Sequence, residues 1–447
     1  MSHRWTAFTA AMGLGMLAAT AAVQTADAAP AAQHDVLPSP LTPSAFTRAV
    51  LARSPSLTAM RETVVAAVAR IGPAGALEDP MLSVSAAPRT FGSAGGPGGD
   101  IEVSQALPWW GTLDARKEAA RAEAEAARDD FQALRLQLAA LARGAFADWV
   151  FVHRALTINA ATRRVIQELH DMAQARYATG KAPEADVLET DVERTLLKQE
   201  QLGWQRQMTA VQARMNALLD RAPQARLPSP AELPSPGALP AEIVFERGAL
   251  NHPALKALEA QQSAAADKTR LAEKKRFPTF KVSAGYNSMW ADSAMRPMVG
   301  LSFTVPIDQG KYRAEIDAAQ AEALRAGAVL EEQRAKLRAD VASDYAATVE
   351  AARSVALSRD DLVPLAQDAL KVALTEYATG KESFPEVLEA ERSALEVELG
   401  LARAQADYYR RLAELDEASG TGAPRSSDDA PGSATHHQDV FDAGDNR

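Results

Sequence analysis

The chain repeats itself at a separation of about 200 residues, and this repetition constrains its fold more than any other feature. The segment Tyr177–Lys181 reappears without change as Tyr377–Lys381, and Val187–Glu189 reappears as Val387–Glu389. A fixed internal period of this kind is typical of a duplicated structural unit. The repetition therefore predicts one body built from two similar halves, rather than the two or three unrelated domains that 447 residues would allow.

The first 28 residues have the features of a signal peptide. Arg4 precedes the apolar run Ala7–Val23, and Ala26-Asp27-Ala28 fits a cleavage site between small residues, so the mature chain is expected to begin near Ala29. The sequence contains no cysteine, which excludes disulfides, thiolate metal sites and a lipid-modified N-terminal cysteine. A net charge of -10 argues against nucleic acid as a partner.

Each half contains two short segments in which apolar residues alternate with small or polar ones. This two-residue period predicts β-strands with one apolar face. The predicted strands are Met81–Ala87, Asp100–Leu107, Thr279–Tyr286 and Met298–Val305. The pairs are themselves repeated, because Val84–Ala86 matches Val282–Ala284 at a separation of 198. A helix is predicted before each pair, over Ser44–Ile71 and over Pro240–Lys274.

Very long helices follow each pair of strands. The stretch Thr112–Tyr177 has no proline and is rich in alanine, glutamate, arginine and leucine, which favour helices. Gly180 is suited to end this helix in a left-handed conformation, and Pro183 is suited to begin the returning one. The second half is predicted to repeat the hairpin, with one helix over Gly310–Tyr377 and a return to about Ala418.

The chain is therefore predicted to be mostly α with a small β part, arranged as two tandem repeats of helix, strand pair and long antiparallel helical hairpin. The predicted boundaries are residues 1–28 for the signal peptide, 29–220 for the first repeat (strands about 81–107, hairpin about 112–219), 221–240 for a proline-rich connector, 241–418 for the second repeat (strands about 279–305, hairpin about 310–418) and 419–447 for a disordered tail.

This arrangement resembles the TolC-like outer-membrane efflux channels, from about Leu41 to about Ala418. One shared motif is a Tyr-x-x-Gly turn followed, six residues after the glycine, by acidic-Val-Leu-acidic. It occurs here as Tyr177, Gly180, Asp186-Val187-Leu188-Glu189, and again as Tyr377, Gly380, Glu386-Val387-Leu388-Glu389. The exit from the second strand, Ser104–Gly111, is most similar to the heavy-metal cation branch (CzcC- and CusC-like channels).

The resemblance implies a homotrimer in which each chain gives four strands to one twelve-stranded barrel in outer-membrane lipid, continued by a helical cylinder in the periplasm. It also implies a passive channel that receives substrates, heavy-metal cations above all, from a periplasmic adaptor and an inner-membrane pump of the RND type. No cofactor and no enzymatic activity are expected, since no nucleotide-binding, metalloprotease or catalytic-triad motif occurs.

The resemblance also assigns candidate site residues. Glu386 and Glu389 would line the periplasmic constriction, and Asp186 and Glu189 form the matching acidic motif of the first half. The residues expected at the adaptor-docking tips are Tyr177, Gly180, Lys181, Tyr377, Gly380 and Lys381. A solvated helix face for the two glutamates, and simple packing of a helix end for the tyrosines, remain open alternatives.

Other functions also remain open at this stage. The same channel architecture would suit export of small organic toxicants or type I secretion, and a periplasmic coiled-coil adaptor or scaffold is a further alternative. An adaptor would carry one hairpin per chain, whereas this sequence predicts two. The sequence leaves undecided whether His436-His437 in the tail bind a metal.

Overall fold

The computed structural model describes residues 37–87, 98–288, 290 and 293–421. The chain divides into two units, Met1–Leu37 and Pro38–Arg447, and all the elements described here belong to the second unit. The expected signal peptide, the glycine-rich segment 88–97 and residues 422–447, including His436-His437, lie outside the described residues.

The same order of elements occurs twice: two short helices, two strands and a long helical hairpin. The helices and strands are α1 (Pro43–Arg53), α2 (Pro55–Ala74), β1 (Met81–Ala87), β2 (Gly98–Leu107), α3 (Thr112–Ala178), α4 (Glu184–Leu218), α5 (Glu242–Ala249), α6 (Pro253–Lys274), β3 (Thr279–Asn287), β4 (Pro297–Thr304), α7 (Gln309–Leu357), α8 (Val363–Thr379) and α9 (Phe384–Ala418). The predicted fold class, mostly helical with a small sheet, is confirmed, and each strand boundary lies within two residues of its prediction.

The two helices predicted to precede the strand pairs are each broken into two, so those predictions were wrong in detail. Ser54 between α1 and α2 is extended, with ψ 118°, and its hydroxyl accepts a hydrogen bond from the N–H of Leu57. His252 is extended before α6, with ψ 134°, and its Nδ1 accepts from the N–H of Ala254. Each break directly precedes a proline, Pro55 or Pro253, and a residue before proline avoids the helical conformation.

The long helices follow the prediction in the first half and depart from it in the second. The 67 residues of α3 form one helix, which extends about 100 Å at 1.5 Å per residue. The helix predicted over Gly310–Tyr377 is interrupted by a π-helical turn, Ser358–Leu362, between α7 and α8. Pro364 explains the interruption, because its ring would clash with the carbonyl group of Asp360 in a regular α-helix.

The four strands form one antiparallel sheet in the order β1-β2-β3-β4. The register places apolar residues opposite one another, such as Leu82 opposite Val103 and Phe280 opposite Phe303. The side chains on this face are exposed, up to 87% for Val299. The opposite face carries small and polar residues. Apart from Phe280 at one end, the described residues of this chain therefore leave this face of the sheet without an apolar partner.

The buried core lies among the helices, and α3 is its centre. α3 packs against α4, α6 and α9, and α7 packs against α6 and α9 on the other side. The packed helices form a layer whose two outer edges are α4 and α8, and both of these helices expose apolar side chains. The exposed residues are Leu188, Val192 and Leu196 on α4, and Leu365 and Val372 on α8. Within the described part of the chain, no helix combines the length and the apolar composition needed to cross a membrane.

The proline-rich connector between the halves is fixed to the helices by hydrogen bonds. The indole N–H of Trp149, a buried residue of α3, donates to the carbonyl oxygen of Pro228 at 3.2 Å. The N–H of Leu41 donates to Ser229, and the N–H of Ala231 donates back to Leu41 at 2.7 Å. The connector is thus part of the packed body in spite of its composition.

The tail was predicted to be disordered from Ser419, but residues 419–421 belong to the packed body, so that boundary was wrong. Ser419 is buried after the end of α9, and its hydroxyl donates to the carbonyl oxygen of Asp416 at 3.2 Å. Its own carbonyl oxygen lies 2.5 Å from the position that a Cβ on Gly248 would occupy. The absence of a side chain at Gly248 therefore allows the end of α9 to approach α5.

We predict that Gly248→Ala lowers stability by about 1–3 kcal/mol, because the added methyl group would overlap the carbonyl oxygen of Ser419. Gly203→Ala is the matched control, since a Cβ there meets nothing within 4 Å inside α4. It should raise stability by up to about 1 kcal/mol through helix propensity. Thermal unfolding in detergent would compare the two variants, and equal shifts would contradict the proposed close approach.

Candidate functional site

The candidate site is formed where the two helical hairpins turn. Gly180 and Gly380 both adopt the left-handed conformation, with φ of 68° and 76°. In each turn the lysine that follows donates its N–H across the turn, from Lys181 to Arg176 at 2.8 Å and from Lys381 to Glu376 at 2.9 Å. The repeated Tyr-Ala-Thr-Gly-Lys sequence thus makes the same turn twice, as predicted.

The two tyrosines of the repeat occupy different environments. Tyr377 is only 2% exposed, and its ring contacts the ring of Phe384 edge-on at 5.6 Å between centroids. Tyr177 is 46% exposed. Packing of the helix end therefore accounts for Tyr377, whose ring is not available at the surface of the tip. Tyr177, Gly180, Lys181, Gly380 and Lys381 are exposed at the tips.

Tyr377 connects the second hairpin to the first. Its hydroxyl donates to the Oδ2 atom of Asp186 at 3.1 Å, and its backbone carbonyl accepts from the guanidinium group of Arg176. The same guanidinium group lies 4.5 Å from the centre of the tyrosine ring. Burial, together with the negative charge of Asp186, raises the pKa of Tyr377 to about 12, so its hydroxyl remains a donor. We refer to these three residues as the tip latch.

Apolar packing supports the latch from α3 and α4 of the first hairpin and from α8 and α9 of the second. The side chains of this cluster are buried, and they are Ile166 and Leu169 of α3, Leu197 of α4, Tyr377 of α8, and Phe384, Val387 and Leu388 of α9. Because each hairpin contributes to one shared cluster, the hairpins are held together at this level by burial as well as by the latch.

The two glutamates predicted to line the constriction are exposed at the start of α9. Glu386 belongs to a capping box: it accepts hydrogen bonds from the N–H and the hydroxyl of Ser383. Hydrogen bonds from Glu382 and from Ser383 hold the pKa of Glu386 below its usual range. The pKa of Glu382 is raised, and its hydrogen bond with Glu386 is the largest cause.

In the first half, the matching acidic residues are arranged differently. Asp186 is half-buried and accepts from the latch tyrosine, whereas Glu189 is exposed in the next turn of α4. The structure therefore brings Asp186 together with Tyr377, and leaves Glu189, Glu386 and Glu389 facing outward from their helices.

A group of charges below the tips, in which the two carboxylates are buried and the arginine is exposed, was not predicted from the sequence. Arg392 of α9 bonds to Glu193 of α4 at 2.6 Å, and Glu193 is buried. The neighbouring Glu391 is 2% exposed, and among the described residues its Oε2 atom has no hydrogen-bond partner. Burial and the charges of Glu193 and Glu200 raise the pKa of Glu391 to about 7, against the opposing effect of Arg392. The sequence feature that could have indicated the burial of Glu391 is its position three residues after Leu388, which is also buried.

The described residues contain no cluster of three or more His, Cys, Asp or Glu side chains that could hold a metal ion. The geometry instead provides a latched junction of two hairpins with acidic and basic side chains around it.

Comparison with known proteins assigns the family. The family model described as outer membrane efflux protein matches residues 47–221 and 246–421, one segment in each repeat. The chain belongs to this family of efflux channels. Its localisation in the outer membrane with a periplasmic extension, expected from the resemblance, is thereby confirmed.

Among curated relatives, the efflux protein is similar to Nodulation protein T of Rhizobium leguminosarum bv. trifolii. The two are 24% identical over 338 residues, which cover 72% of this chain and 71% of that protein. Two solved structures share its fold. VceC of Vibrio cholerae is 20% identical with a TM-score of 0.71, covering 84% of this chain and 95% of the other. CusC is 18% identical with a TM-score of 0.74, covering 85% and 92%.

We predict that Glu391→Gln removes a pH dependence from stability. A carboxyl group whose pKa is raised from 4.5 to about 7 in the folded state stabilises the fold below pH 4.5 and loses that contribution as the pH rises through 7. The variant should therefore match the wild type near pH 4.5 and exceed it by about 1–3 kcal/mol near pH 8. Thermal unfolding at the two pH values would measure this difference.

Glu396→Gln, on an exposed position of the same helix, is the control and should shift neither curve. A wild-type protein whose stability is the same at both pH values would contradict the assignment of a buried, proton-binding Glu391.

Proposed function

We propose that this protein is the outer-membrane channel of a tripartite efflux system, and that it conducts substrates passively from a pump and adaptor to the exterior. One observation carries the proposal: a sheet with an apolar, uncovered face is joined at one end to two long hairpins whose tips are latched together. An apolar face of this kind suits contact with lipid, and the hairpins suit a conduit through the periplasm.

Three copies of the chain would complete the sheet. β1 and β4 are its edges, and unpaired strand edges need partners. Because each chain contributes an even number of antiparallel strands, β4 of one chain can pair with β1 of the next without breaking the alternation. Closure by three chains gives the twelve-stranded barrel expected from the family resemblance, with the apolar face outward.

The exposed apolar stripes on the helices support the same assembly. Leu188, Val192 and Leu196 recur every four residues on α4, and Leu365 and Val372 project from α8 at the opposite edge. Inside the chain, α9 packs against α3. The helix of the first repeat that corresponds to α9 is α4, and it would pack in the same way against α8 of a neighbouring chain. The duplication thus provides an internal template for contact between chains.

The exposed tip residues Tyr177, Gly180, Lys181, Gly380 and Lys381 are proposed to receive the periplasmic adaptor, which would connect the channel to an inner-membrane pump of the RND type. Tyr377 would act indirectly, by holding the second hairpin in place. In this proposal, release of the tip latch widens the periplasmic end.

We predict that Tyr377→Phe raises single-channel conductance in planar bilayers. Loss of a hydrogen bond to a carboxylate costs about 1.5–3 kcal/mol, which would shift a closed–open equilibrium at least tenfold towards the open state. Tyr177→Phe is the matched control, because the hydroxyl of this repeat partner has no protein partner in the described part of the chain, and its conductance should remain that of the wild type. A wild-type protein that forms no pore at all would overturn the proposed function.

Glu386 and Glu389 are proposed to form an acidic constriction when three chains meet. Both are exposed, and their separation of three residues puts them on one face of α9. Rings of carboxylates in a pore favour cations over anions. Together with the strand exit Ser104–Gly111, this favours heavy-metal cations as the substrate class, whereas organic toxicants or secreted proteins are the alternatives that the test must separate.

We predict that Glu386→Gln/Glu389→Gln reduces the preference of the pore for cations. Cells that lack the channel should become sensitive to copper, silver, zinc, cobalt or cadmium, and the variant should restore resistance less well than the wild type. Conductance in asymmetric salt would measure ion preference directly.

Glu242→Gln/Glu246→Gln on α5 removes the same number of charges away from the tips and should behave as the wild type. Sensitivity to organic compounds alone would reject metal cations as substrates, and an unchanged ion preference in the tip variant would reject the constriction.

A further inference from the structure

Aromatic side chains cluster at the end of the sheet where the helices leave it. The ring of Trp109 stacks on that of Phe277, with 4.8 Å between centroids, and lies 5.9 Å from the ring of Phe280. Trp110 meets Trp109 edge-on at 4.9 Å and is itself 71% exposed. The ring of Trp110 contacts two other aromatic rings, those of Trp109 and Phe280, and these neighbours restrict its orientation at the surface.

This cluster marks the border of the uncovered apolar face. Phe280 belongs to that face and pairs with Phe303 of β4. Just beyond β4 the exposed apolar residues continue to Val305 and Ile307, and Asp308 then begins the polar turn into α7. Tryptophan rings are enriched where an apolar band meets the headgroup layer of a bilayer. The cluster therefore lies at the height where headgroups would meet the protein.

Three basic residues stand beside the rings, at the end of α6. The basic run, Lys274–Arg276, leads directly into Phe277, and the guanidinium carbon of Arg276 lies 5.4 Å from the centre of that ring. The ammonium group of Lys274 is 3.7 Å from the position of a Cβ on Gly111, which follows Trp110. The basic and aromatic groups thus form one continuous surface.

The charges of this surface are largely uncompensated. Lys275 bonds to Glu315 at 3.1 Å in an exposed pair. Within the described part of the chain, Lys274 and Arg276 have no carboxylate partner. The corresponding residues of the first repeat are Ala76-Leu77-Glu78, so the duplicated fold does not itself require basic residues here. In a chain of net charge -10, a run of three basic residues that the duplicated fold does not require is suited to an anionic ligand.

We propose that the collar, defined as Trp109, Trp110 and the basic run, binds the phosphate of an anionic phospholipid in the leaflet that faces the periplasm. Lysine and arginine donate charge-assisted hydrogen bonds to phosphate, and basic side chains near an anionic bilayer surface add to binding. The indole rings would contact the glycerol and the upper acyl chains. This inference rests on the outer-membrane localisation and not on the proposed conductance.

The collar can be tested with the tryptophans themselves. The mature protein, which lacks Trp5 because the expected signal peptide is removed, carries Trp290→Phe and is reconstituted into two mixtures of phosphatidylglycerol and phosphatidylcholine. Only phosphatidylglycerol is dibrominated in the first mixture, and only phosphatidylcholine in the second. Trp109 and Trp110 then stand next to the bilayer, while Trp149 and Trp204 lie in the helical region. Bromine quenches nearby indole fluorescence, so the two mixtures give the binding constant for phosphatidylglycerol relative to phosphatidylcholine.

The wild-type collar should prefer phosphatidylglycerol, and the preference should fall as salt is added. Replacing the basic run, as Lys274→Gln/Lys275→Gln/Arg276→Gln, should reduce it by about fivefold for each charge removed. Lys274→Arg/Lys275→Arg/Arg276→Lys should retain it. Lys198→Gln/Arg206→Gln/Arg214→Gln removes the same charge from exposed positions of α4 and should also retain it.

The proposal is overturned if the wild type shows no preference, if the glutamine variant keeps it, or if the α4 control loses it. If the glutamine variant keeps the lipid preference but co-purifies less adaptor than the wild type, the collar is a protein-binding surface instead. Single variants, Lys274→Gln and Arg276→Gln, serve if the triple variant does not assemble. Conductance is measured on the same samples, so a pore without lipid preference rejects the collar alone, and preference without a pore rejects the proposed function alone.

Discussion

The sheet cannot be satisfied by the chain that forms it. Its two edge strands have unpaired backbone groups, and its apolar face has no core beneath it. Four isolated strands of this kind would be unstable in water, since burial of a face is what stabilises a sheet. The helices cannot supply that burial, because their own apolar residues are used in packing around α3. Membrane lipid and further copies of the chain would provide the burial and the strand partners that the sheet lacks, and the helical edges carry apolar stripes.

The connection between sheet and helices determines where the other features lie. All four strands begin or end beside the long helices at one end of the sheet, so the collar must stand at the boundary between the apolar face and the helical body. The tip latch stands at the far end of hairpins about 100 Å long. A ligand at the collar and a partner at the tips would therefore act on regions separated by the whole length of α3.

Much of this fold could be predicted from the periodicity of apolar residues and from the positions of proline and glycine. Alternation in Thr279–Tyr286 and a proline-free stretch after Thr112 each report on local conformation, and those predictions were accurate. The breaks at Pro55, Pro253 and Pro364 were also visible, but their effect was underestimated because helical composition continues on both sides. The site was harder to predict. Tyr177 and Tyr377 are followed by the same four residues, so the repeated segment does not distinguish the exposed tyrosine from the buried one.

The availability of Asp186 for Tyr377 depends on one substitution at the start of the returning helices. In the second half Ser383 caps α9, and its hydroxyl and N–H engage Glu386. The corresponding residue of the first half is Pro183, which has neither a hydroxyl nor an N–H to offer. Asp186, at the position that matches Glu386, therefore remains free to accept a hydrogen bond from elsewhere, and Tyr377 supplies it. A duplicated turn has thus become asymmetric: one copy caps its own helix, and the other receives the latch from its partner hairpin.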